Sequence, residues 1–451
     1  MADFEINDEL ITVIIANLDR PKNLHDLVSN LHSGDIVEII EHHLEEDEAK
    51  KLFHSLTPET ASEVLIELTD EFRELFLEKL STKQLTDIVQ EMNSDDAADF
   101  VAELPKEEAA KILDNLPDAD SDEVRHLLQY DEETAGGIMQ TELVSLREEQ
   151  TCADAVELIR SKVEEIEEYH FIFVTDKNEK LVGLVPLGKL ALYKPEISIG
   201  EIMDKNPISI TVDADEEAVA NIFMKYDLIS VAVTDVNGKL LGRILHDDVL
   251  DIITEGSTED FLKIAGTNDE EFEYGSWINA ARYRLPWLVS SLSGGILMAG
   301  IIRMMGAPLS QVIALAAFIP VITGMSGNVS TQSSAIVVRG LVLGRMGSAG
   351  IFEFILKEFY VGLAMATFCG TAIGFIAWGL NQSPGIGIIV GASLFFAMCT
   401  ASTIGTLIPI LLQKLKLDPV LGAGPIVLTL VDISSLIIYF SFAGLLIHLI
   451  T

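Results

Sequence analysis

Apolar residues are distributed along this chain in two different ways. After Arg284 the sequence contains five long apolar stretches, each close to the roughly 20 residues that a helix needs to cross a bilayer. They run approximately over Leu285–Ile302, Leu309–Ile322, Tyr360–Leu380, Ile386–Leu412 and Leu421–Ile450. The pattern therefore predicts a multi-pass membrane protein with five spans.

In the region before the spans, the apolar residues form shorter runs. In residues 20–134, apolar positions recur at helical spacing, and Ser, Thr, Asp and Pro residues typical of helix starts separate the runs. This pattern predicts a small superhelix of amphipathic helices.

Residues 136–256 contain an internal repeat. The pair Ile138 and Met139 recurs as Ile202 and Met203, and Val174–Asp176 recurs as Val233–Asp235. Each copy predicts a strand, a helix, two strands around an Asn turn and a final helix. This organisation resembles a tandem pair of CBS domains, which are regulatory modules that typically dimerise.

The patterns together predict a multidomain chain of four parts. These are a cytosolic all-α superhelical N domain (1–135), an α+β tandem CBS pair (136–256), an amphipathic connecting or plug helix (257–282) and a five-helix transmembrane pore domain (283–451).

Charge changes at the same place as hydropathy. The 451 residues include 30 Lys and Arg and 70 Asp and Glu, for a net charge of −40. From Ser276 onward there are eight basic and four acidic residues, which leaves 22 basic and 66 acidic residues in the first 275. Such an acidic surface repels nucleic acid and attracts cations, although charge alone is equally compatible with a role in solubility.

Basic residues near the spans predict the orientation, because cytosolic loops carry the excess of Lys and Arg. They lie before the first span, between the second and third spans, and between the fourth and fifth spans, at positions 282, 284, 339, 345, 357, 414 and 416. Arg303 is the one exception. With five spans these positions share one side. We therefore expect a protein of the cytoplasmic (inner) membrane with a cytosolic N-terminus and an external C-terminus.

Asp432 is the acid that this pattern places deep in a span. An ionised side chain costs several kcal/mol in lipid, so it usually faces a bundle interior or an aqueous path. One interpretation is an intramembrane ion pair with Arg339 or Arg345. The other is a pore carboxylate for a hard cation such as Mg²⁺, which prefers oxygen ligands and would lie near the axis of a homodimer.

Two segments at membrane depth are predicted to have irregular backbone. They are residues 320–332 and 422–425, which are rich in Gly, Ser and Pro. Irregular backbone is tolerated in a membrane where it lines a cavity or packs on protein. Close packing of helices through small residues is the alternative interpretation.

Some cytosolic acids lie at helical spacing. Asp95 and Asp99 are four residues apart, and Asp248 and Asp251 are three apart, so each pair shares a helix face. Like charges on one face destabilise the helix unless a cation screens them, whereas a solvated face is the simpler explanation. The sequence contains no Ser/His/Asp or Cys/His arrangement, P-loop or GxGxxG motif, so no enzyme is expected.

The order of the parts and their motifs resembles the MgtE magnesium channel family over essentially the whole chain. The resemblance rests on Arg284–Leu288, Pro320, Ser326–Asn328, Gln332, Pro409, Asp418, Pro419, Pro425 and Asp432. It implies a homodimer in the lipid bilayer that passes Mg²⁺ into the cell, with Asp432 holding the hydrated ion and Asn328, Gly424 and Pro425 lining the pore.

The resemblance also implies that cytosolic Mg²⁺ closes the pore by binding acids between the N domain, the CBS pair and the plug helix. The matching positions are Glu63, Asp95, Asp99, Glu217, Asp227, Asp248, Asp251 and Glu259.

Two other functions remain open at this point, a secondary transporter that couples Mg²⁺ or Co²⁺ to H⁺ or Na⁺ and a membrane-tethered CBS sensor. ATP-binding CBS units usually carry a Ser or Thr and an Asp after the strand Gly. The first unit lacks both after Gly183, and the second has Asp248 with Leu245 in place of the hydroxyl, so nucleotide binding is not expected.

Overall fold

The computed structural model describes residues 8–29, 31–77, 80–162, 170–267, 277–305, 312–342 and 351–450. The chain forms two compact units, Met1–Thr254 and Glu255–Thr451.

Ten short helices form the described part of the chain before residue 130. They are α1 (Asp8–Asn17), α2 (Pro21–Val28), α3 (Ser33–His43), α4 (Glu46–Phe53), α5 (Pro58–Glu67), α6 (Asp70–Leu77), α7 (Thr82–Val89), α8 (Ser94–Glu103), α9 (Lys106–Asn115) and α10 (Asp118–Leu127). Helix α3 packs on α5, α5 on α7 and α7 on α9. Packing of alternate helices builds the superhelix that the sequence predicts.

Helix starts in this region follow from local chemistry. The hydroxyl of Thr57 accepts a hydrogen bond from the backbone nitrogen of Thr60, and Pro58 occupies the first helical position. Ser81 and Gln84 form a reciprocal capping box at the start of α7. Each apolar face then contributes to one shared core, which includes the buried Ile36, Ile40 and Leu65.

Two three-stranded sheets follow. They contain β1 (Ser145–Arg147), β2 (Phe171–Thr175), β3 (Leu181–Pro186), β4 (Ser209–Thr211), β5 (Ser230–Thr234) and β6 (Leu240–Leu245), with α11 (Cys152–Ser161), α12 (Leu187–Leu190), α13 (Ile199–Ile202) and α14 (Glu216–Tyr226). In each sheet the first strand is parallel to the second, and the second is antiparallel to the third. The predicted strand–helix–strand–strand–helix order is confirmed.

The segment that precedes each repeat pairs with the third strand of the other repeat. The backbone nitrogen of Gln140 donates to the carbonyl of Arg243 at 2.7 Å, and Leu184 pairs with Asp204 in the same way. A Cβ atom at Gly242 would lie 2.6 Å from the carbonyl oxygen of Gln140. Gly242 in the third strand therefore allows the backbone at Gln140 to approach closely enough to pair with it.

Helix α15 (His246–Ala265) follows β6, and its last residues, from Glu255, belong to the second unit. It ends before Gly266, whose φ of 80° lies in the left-handed region that favours glycine. The connecting helix expected at residues 257–282 thus includes the C-terminal part of α15, and residues 268–276 lie outside the described residues.

Five helices in the described part of the second unit are long and apolar enough to span a bilayer. They are α16 (Trp277–Met305), α17 (Ile319–Val342, preceded by the 3-10 helix Ile313–Phe318), α18 (Ile351–Asn381), α19 (Pro384–Lys414) and α20 (Pro425–Leu446, preceded by the 3-10 helix Pro419–Ala423). Helix α19 packs against α17, α18 and α20 and forms the centre of the described bundle. The prediction of five spans is confirmed.

One of the two predicted irregular segments is wrong. Residues 320–332 are entirely α-helical within α17. Pro320 is the second residue of that helix, where its missing N–H removes no intrahelical hydrogen bond. The other prediction is confirmed, because Pro419–Ala423 is a 3-10 helix and Gly424 has extended backbone (φ −81°, ψ −176°) before α20 begins.

Candidate functional site

Asp432 lies in the second turn of α20 and faces a glycine of α17. A Cβ atom at Gly327 would lie 3.9 Å from Oδ1 of Asp432. The neighbouring Ser326 is fully buried, and its hydroxyl has no hydrogen-bond partner. Cδ1 of Leu428 would lie 2.8 Å from the same Cβ atom, so the half-buried carboxylate and Leu428 both lie close to the backbone of Gly327.

The alternative interpretation of Asp432, an ion pair with Arg339, is not seen among the described residues. In the second unit, Lys263 forms ion pairs with Glu259 and with Asp418. Arg339 is exposed near the end of α17, and Arg345 lies outside the described residues. Among the residues that the structure describes, the carboxylate of Asp432 has no cationic side chain as a partner.

The expected pore-lining positions lie on the same two helices. Asn328 follows Gly327 on α17 and is exposed in the single chain, while Gly424 and Pro425 form the start of α20. Asp432 is seven residues after Pro425, about 10 Å further along the axis at 1.5 Å per residue.

Sequence reasoning missed Glu358. It placed the third span at Tyr360, whereas α18 begins at Ile351, so Glu358 lies inside the helix and is 3 % exposed. The hydroxyl of Ser402 donates to the backbone carbonyl of Glu358 at 3.5 Å and lies 3.1 Å from the hydroxyl of Ser333. An acid directly before the apolar stretch was the available signal.

Two helix starts bring cytosolic acids together. Asp95 and Asp96 lie in the first turn of α8, and Asp247, Asp248 and Asp251 lie in the first two turns of α15. We call these five residues the acidic cluster. Within it the predicted residues Asp95, Asp248 and Asp251 come together, because Asp95 is repelled by Asp248 and Asp248 by Asp251.

The cluster is electrostatically unfavourable as it stands. Burial, followed by repulsion from Asp96 and Asp248, raises the pKa of Asp95 well above its usual range. Burial is also the main reason that the pKa of Asp96 rises to about 6 and that of Asp248 to about 7. Asp95 is buried, and its Oδ1 atom has no hydrogen-bond partner. A cation or a proton would relieve this repulsion.

Glu142 positions α8 for this arrangement. Its carboxylate accepts hydrogen bonds from the backbone nitrogen of Ser94 at 3.0 Å and from the Ser94 hydroxyl at 2.7 Å. A carboxylate at a helix N-terminus satisfies the free N–H groups and interacts favourably with the helix dipole. The segment that leads into the first repeat therefore fixes the helix that carries Asp95 and Asp96.

The other predicted acids lie outside this cluster. Asp99 is one turn further along α8, where burial and then Glu132 raise its pKa to about 7. Glu63 lines a cavity of about 640 Å³ together with Asp96 and Glu142. Among the described residues, no three His, Cys, Asp or Glu side chains have a geometry that could hold a metal ion.

The last three predicted acids are dispersed. Glu217 and Asp227 lie at opposite ends of α14, about 15 Å apart along its axis. Glu259 forms an ion pair with Lys263 at 2.8 Å.

Comparison with known proteins covers both units. Three family models match the chain: the MgtE intracellular N domain over residues 31–133, the CBS domain over 135–195 and 199–255, and the MgtE divalent cation transporter over 319–442. The "Magnesium transporter MgtE" of Bacillus subtilis is 34% identical over 331 residues, or 73% of each chain. The Thermus thermophilus protein of the same name is 32% identical over 329 residues, covering 72% of this chain and 73% of that protein.

Solved structures resemble the cytosolic part. The soluble part of a magnesium transporter has 28% sequence identity and a TM-score of 0.52, and it covers 55% of this chain and 99% of its own. The cytosolic domain of the Mg²⁺ channel MgtE in complex with ATP is 29% identical and covers 51% of this chain and 94% of its own. Its TM-score is 0.49. From the extent of the sequence matches, the chain belongs to the MgtE family.

Proposed function

We propose that this chain carries Mg²⁺ into the cell across the cytoplasmic membrane as a channel, and that Mg²⁺ bound to its acidic cytosolic domain closes it. The observation that carries the proposal is Asp432, whose half-buried carboxylate faces Gly327 and has no ion-pair partner among the described residues. The names of the curated relatives support Mg²⁺ as the transported ion.

Hydrated Mg²⁺ fits this surface chemically. Mg²⁺ sheds water reluctantly and is usually held through one or two carboxylates with several waters retained. In a homodimer two Asp432 side chains would approach the axis and share one hydrated ion. Asn328, Gly424 and Pro425 would then border the path with amide and carbonyl oxygens. The N-terminus would be cytosolic and the C-terminus external.

The acidic cluster would serve as the sensor. Without a divalent ion, Asp95, Asp96 and Asp248 repel one another and favour separation of α8 from α15. Bound Mg²⁺ offsets this repulsion and shifts the equilibrium towards the packed arrangement, as a ligand must when it binds one of two states more tightly. Glu63, Asp99, Glu217, Asp227 and Asp251 are the further acids that we assign to Mg²⁺ binding in the assembled dimer.

A coupled secondary transporter is the second candidate, and Glu358 is the observation in its favour. A buried carboxyl among Ser333 and Ser402 could bind a coupling H⁺ or Na⁺, since ionisable residues in membranes commonly mark proton and ion sites.

Reconstituted flux distinguishes the two candidates. Full-length protein in liposomes with a Mg²⁺-sensitive dye should take up Mg²⁺ down an imposed gradient, at a rate that H⁺ and Na⁺ gradients do not change. Asp432→Asn should abolish this uptake or make it unselective. The control is Ser434→Ala, which removes a hydroxyl bonded only within α20.

Mg²⁺ uptake that requires a H⁺ or Na⁺ gradient and is lost in Glu358→Gln would instead establish the coupled transporter. Uptake unchanged in Asp432→Asn would overturn the pore assignment.

A further inference from the structure

An ammonium group joins the end of α15 to the segment before α20. Nζ of Lys263 lies 2.8 Å from Oε1 of Glu259, one turn earlier on the same helix, and 3.1 Å from Oδ2 of Asp418. All three residues belong to the second unit. One lysine thus bridges two carboxylates that lie 159 residues apart in sequence, a separation given directly by their numbers.

The carboxylate of Asp418 is fixed by a second contact. Its Oδ1 atom accepts a hydrogen bond from the backbone nitrogen of Val420 at 2.8 Å and caps the 3-10 helix Pro419–Ala423. The side chains of Lys263, Glu259 and Asp418 are 29, 43 and 33 % exposed, so the triad is partly shielded from water. Partial burial alone would lower the pKa of Lys263, but the hydrogen bonds to Glu259 and Asp418 raise it. The two carboxylate partners therefore favour the ammonium form of Lys263.

The backbone next to this triad reaches the start of α20. A Cβ atom at Gly266 would lie 3.1 Å from Cγ of Pro425 and 3.5 Å from Trp287. The carbonyl of Lys263 itself lies near Gly424. The end of α15 therefore packs against the residues from which the Asp432 helix begins.

We propose that Lys263 is a built-in cation that latches α15 to the start of α20, in the place between Glu259 and Asp418 that a divalent ion would otherwise occupy. Glu259 is then an ion-pair partner and not a Mg²⁺ ligand. The effect of the latch on gating rests on the proposed function: it holds the connecting helix against the mouth of the Asp432 path and favours the closed pore.

The latch should stabilise the closed state only modestly, and salt should weaken it. Partly exposed ion pairs contribute up to about 1 kcal/mol and are screened by salt. Removing the lysine charge should therefore raise the cytosolic Mg²⁺ concentration for half-closure by roughly twofold to fivefold, since about 1.4 kcal/mol corresponds to a factor of ten.

Lysine labelling tests the latch without transport. Full-length protein in detergent with EDTA is treated with an N-hydroxysuccinimide ester, and the labelling rate of Lys263 is measured against Lys414, which is exposed. Asp418→Asn keeps an oxygen to cap Val420 but removes the charge, and it should raise the Lys263 rate by at least about threefold, in line with the loss of a partly exposed pair. Mg²⁺ should not raise the wild-type rate, because Mg²⁺ and the latch favour the same closed state.

Two labelling results would overturn the latch. One is an equal Lys263 rate in wild type, Asp418→Asn and Glu259→Gln. The other is a rise in wild type when Mg²⁺ alone is added, because that would mean that the ion displaces the ammonium group.

Charge exchange tests the consequence for gating. Lys263→Gln should weaken Mg²⁺ block of reconstituted flux, and Lys263→Asp combined with Asp418→Lys should restore block towards wild type. Failure of the exchange to restore it, while wild type is blocked normally, refutes the role in gating. Absence of Mg²⁺ block in wild type refutes the proposed function instead and leaves the labelling result to decide on the latch.

Discussion

The hydroxyl of Ser334 donates a 2.7 Å hydrogen bond to the carbonyl oxygen of Gly422, and both residues are buried. Ser334 belongs to α17 and Gly422 to the 3-10 helix that precedes α20. The bond therefore joins the helix that carries Gly327 to the break from which the Asp432 helix starts. Irregular backbone in a membrane needs such partners for its free carbonyl groups.

Ser334→Ala should destabilise the membrane unit by about 1–3 kcal/mol, because it leaves a buried carbonyl oxygen without its donor. The midpoint of thermal unfolding in detergent, followed by size-exclusion chromatography with fluorescence detection, measures the change. Ser434→Ala is the matched control, since its hydroxyl bonds only to the preceding turn of its own helix. Equal midpoints for the two variants would show that the Ser334 bond does not hold the break in place.

The acidic cluster should make stability depend on pH. The pKa of Asp96 is raised to about 6 and that of Asp248 to about 7, chiefly by burial. A carboxyl whose folded-state pKa is raised contributes stability below its unfolded pKa, and this is lost as pH rises through the folded value. In EDTA the midpoint temperature of thermal unfolding should therefore decrease as the pH is raised from about 4 to about 7.

Mg²⁺ should reverse this loss. Because protons and Mg²⁺ compete for the same carboxylates, the stabilisation by Mg²⁺ should be larger at about pH 8 than at about pH 5. Asp96→Asn combined with Asp248→Asn should reduce both the pH effect and the Mg²⁺ effect. The same pH profile in wild type and in the double variant would place the titrating groups elsewhere.

Close helix packing in the membrane unit depends on Gly405. A Cβ atom there would lie 2.5 Å from the carbonyl oxygen of Ser330, so Gly405→Ala must push α19 away from α17. We expect a cost of about 1–3 kcal/mol, as is usual for overpacking. Gly379→Ala is the control, because nothing lies within 4 Å of its added Cβ atom. Thermal unfolding of the full chain in detergent should separate the two variants, and a Gly405→Ala protein as stable as the control would contradict the packing.

The sequence predicts the architecture well because each part has its own pattern of apolar residues or its own internal repeat. Long apolar stretches predict the five spans, and the repeat of Ile138 and Met139 at Ile202 and Met203 predicts the two sheets. The missed features depend on tertiary contacts. Residues 320–332 look irregular by composition, yet Pro320 occupies a helix start and the following Gly and Ser residues pack within α17.

The candidate site was only partly predictable for the same reason. Asp432 stands out as an acid in a span, and Asp95 and Asp248 stand out by helical spacing. Glu358 was missed because a hydropathy boundary placed it outside the span, and its serine neighbours come from two other helices. The pairing of Glu259 with Lys263 and Asp418 needed the fold, because Asp418 is distant in sequence.

The central claim, that cytosolic Mg²⁺ closes a Mg²⁺ path, is tested most directly by inside-out patch recording. Mg²⁺ current is measured as Mg²⁺ is titrated on the cytosolic face, for wild type and for Asp95→Asn combined with Asp248→Asn. The proposal predicts that the wild-type current falls as cytosolic Mg²⁺ rises and that the double variant still conducts but needs more Mg²⁺ to close. A wild-type current that is insensitive to cytosolic Mg²⁺, or a double variant that closes at the same concentration, would contradict it.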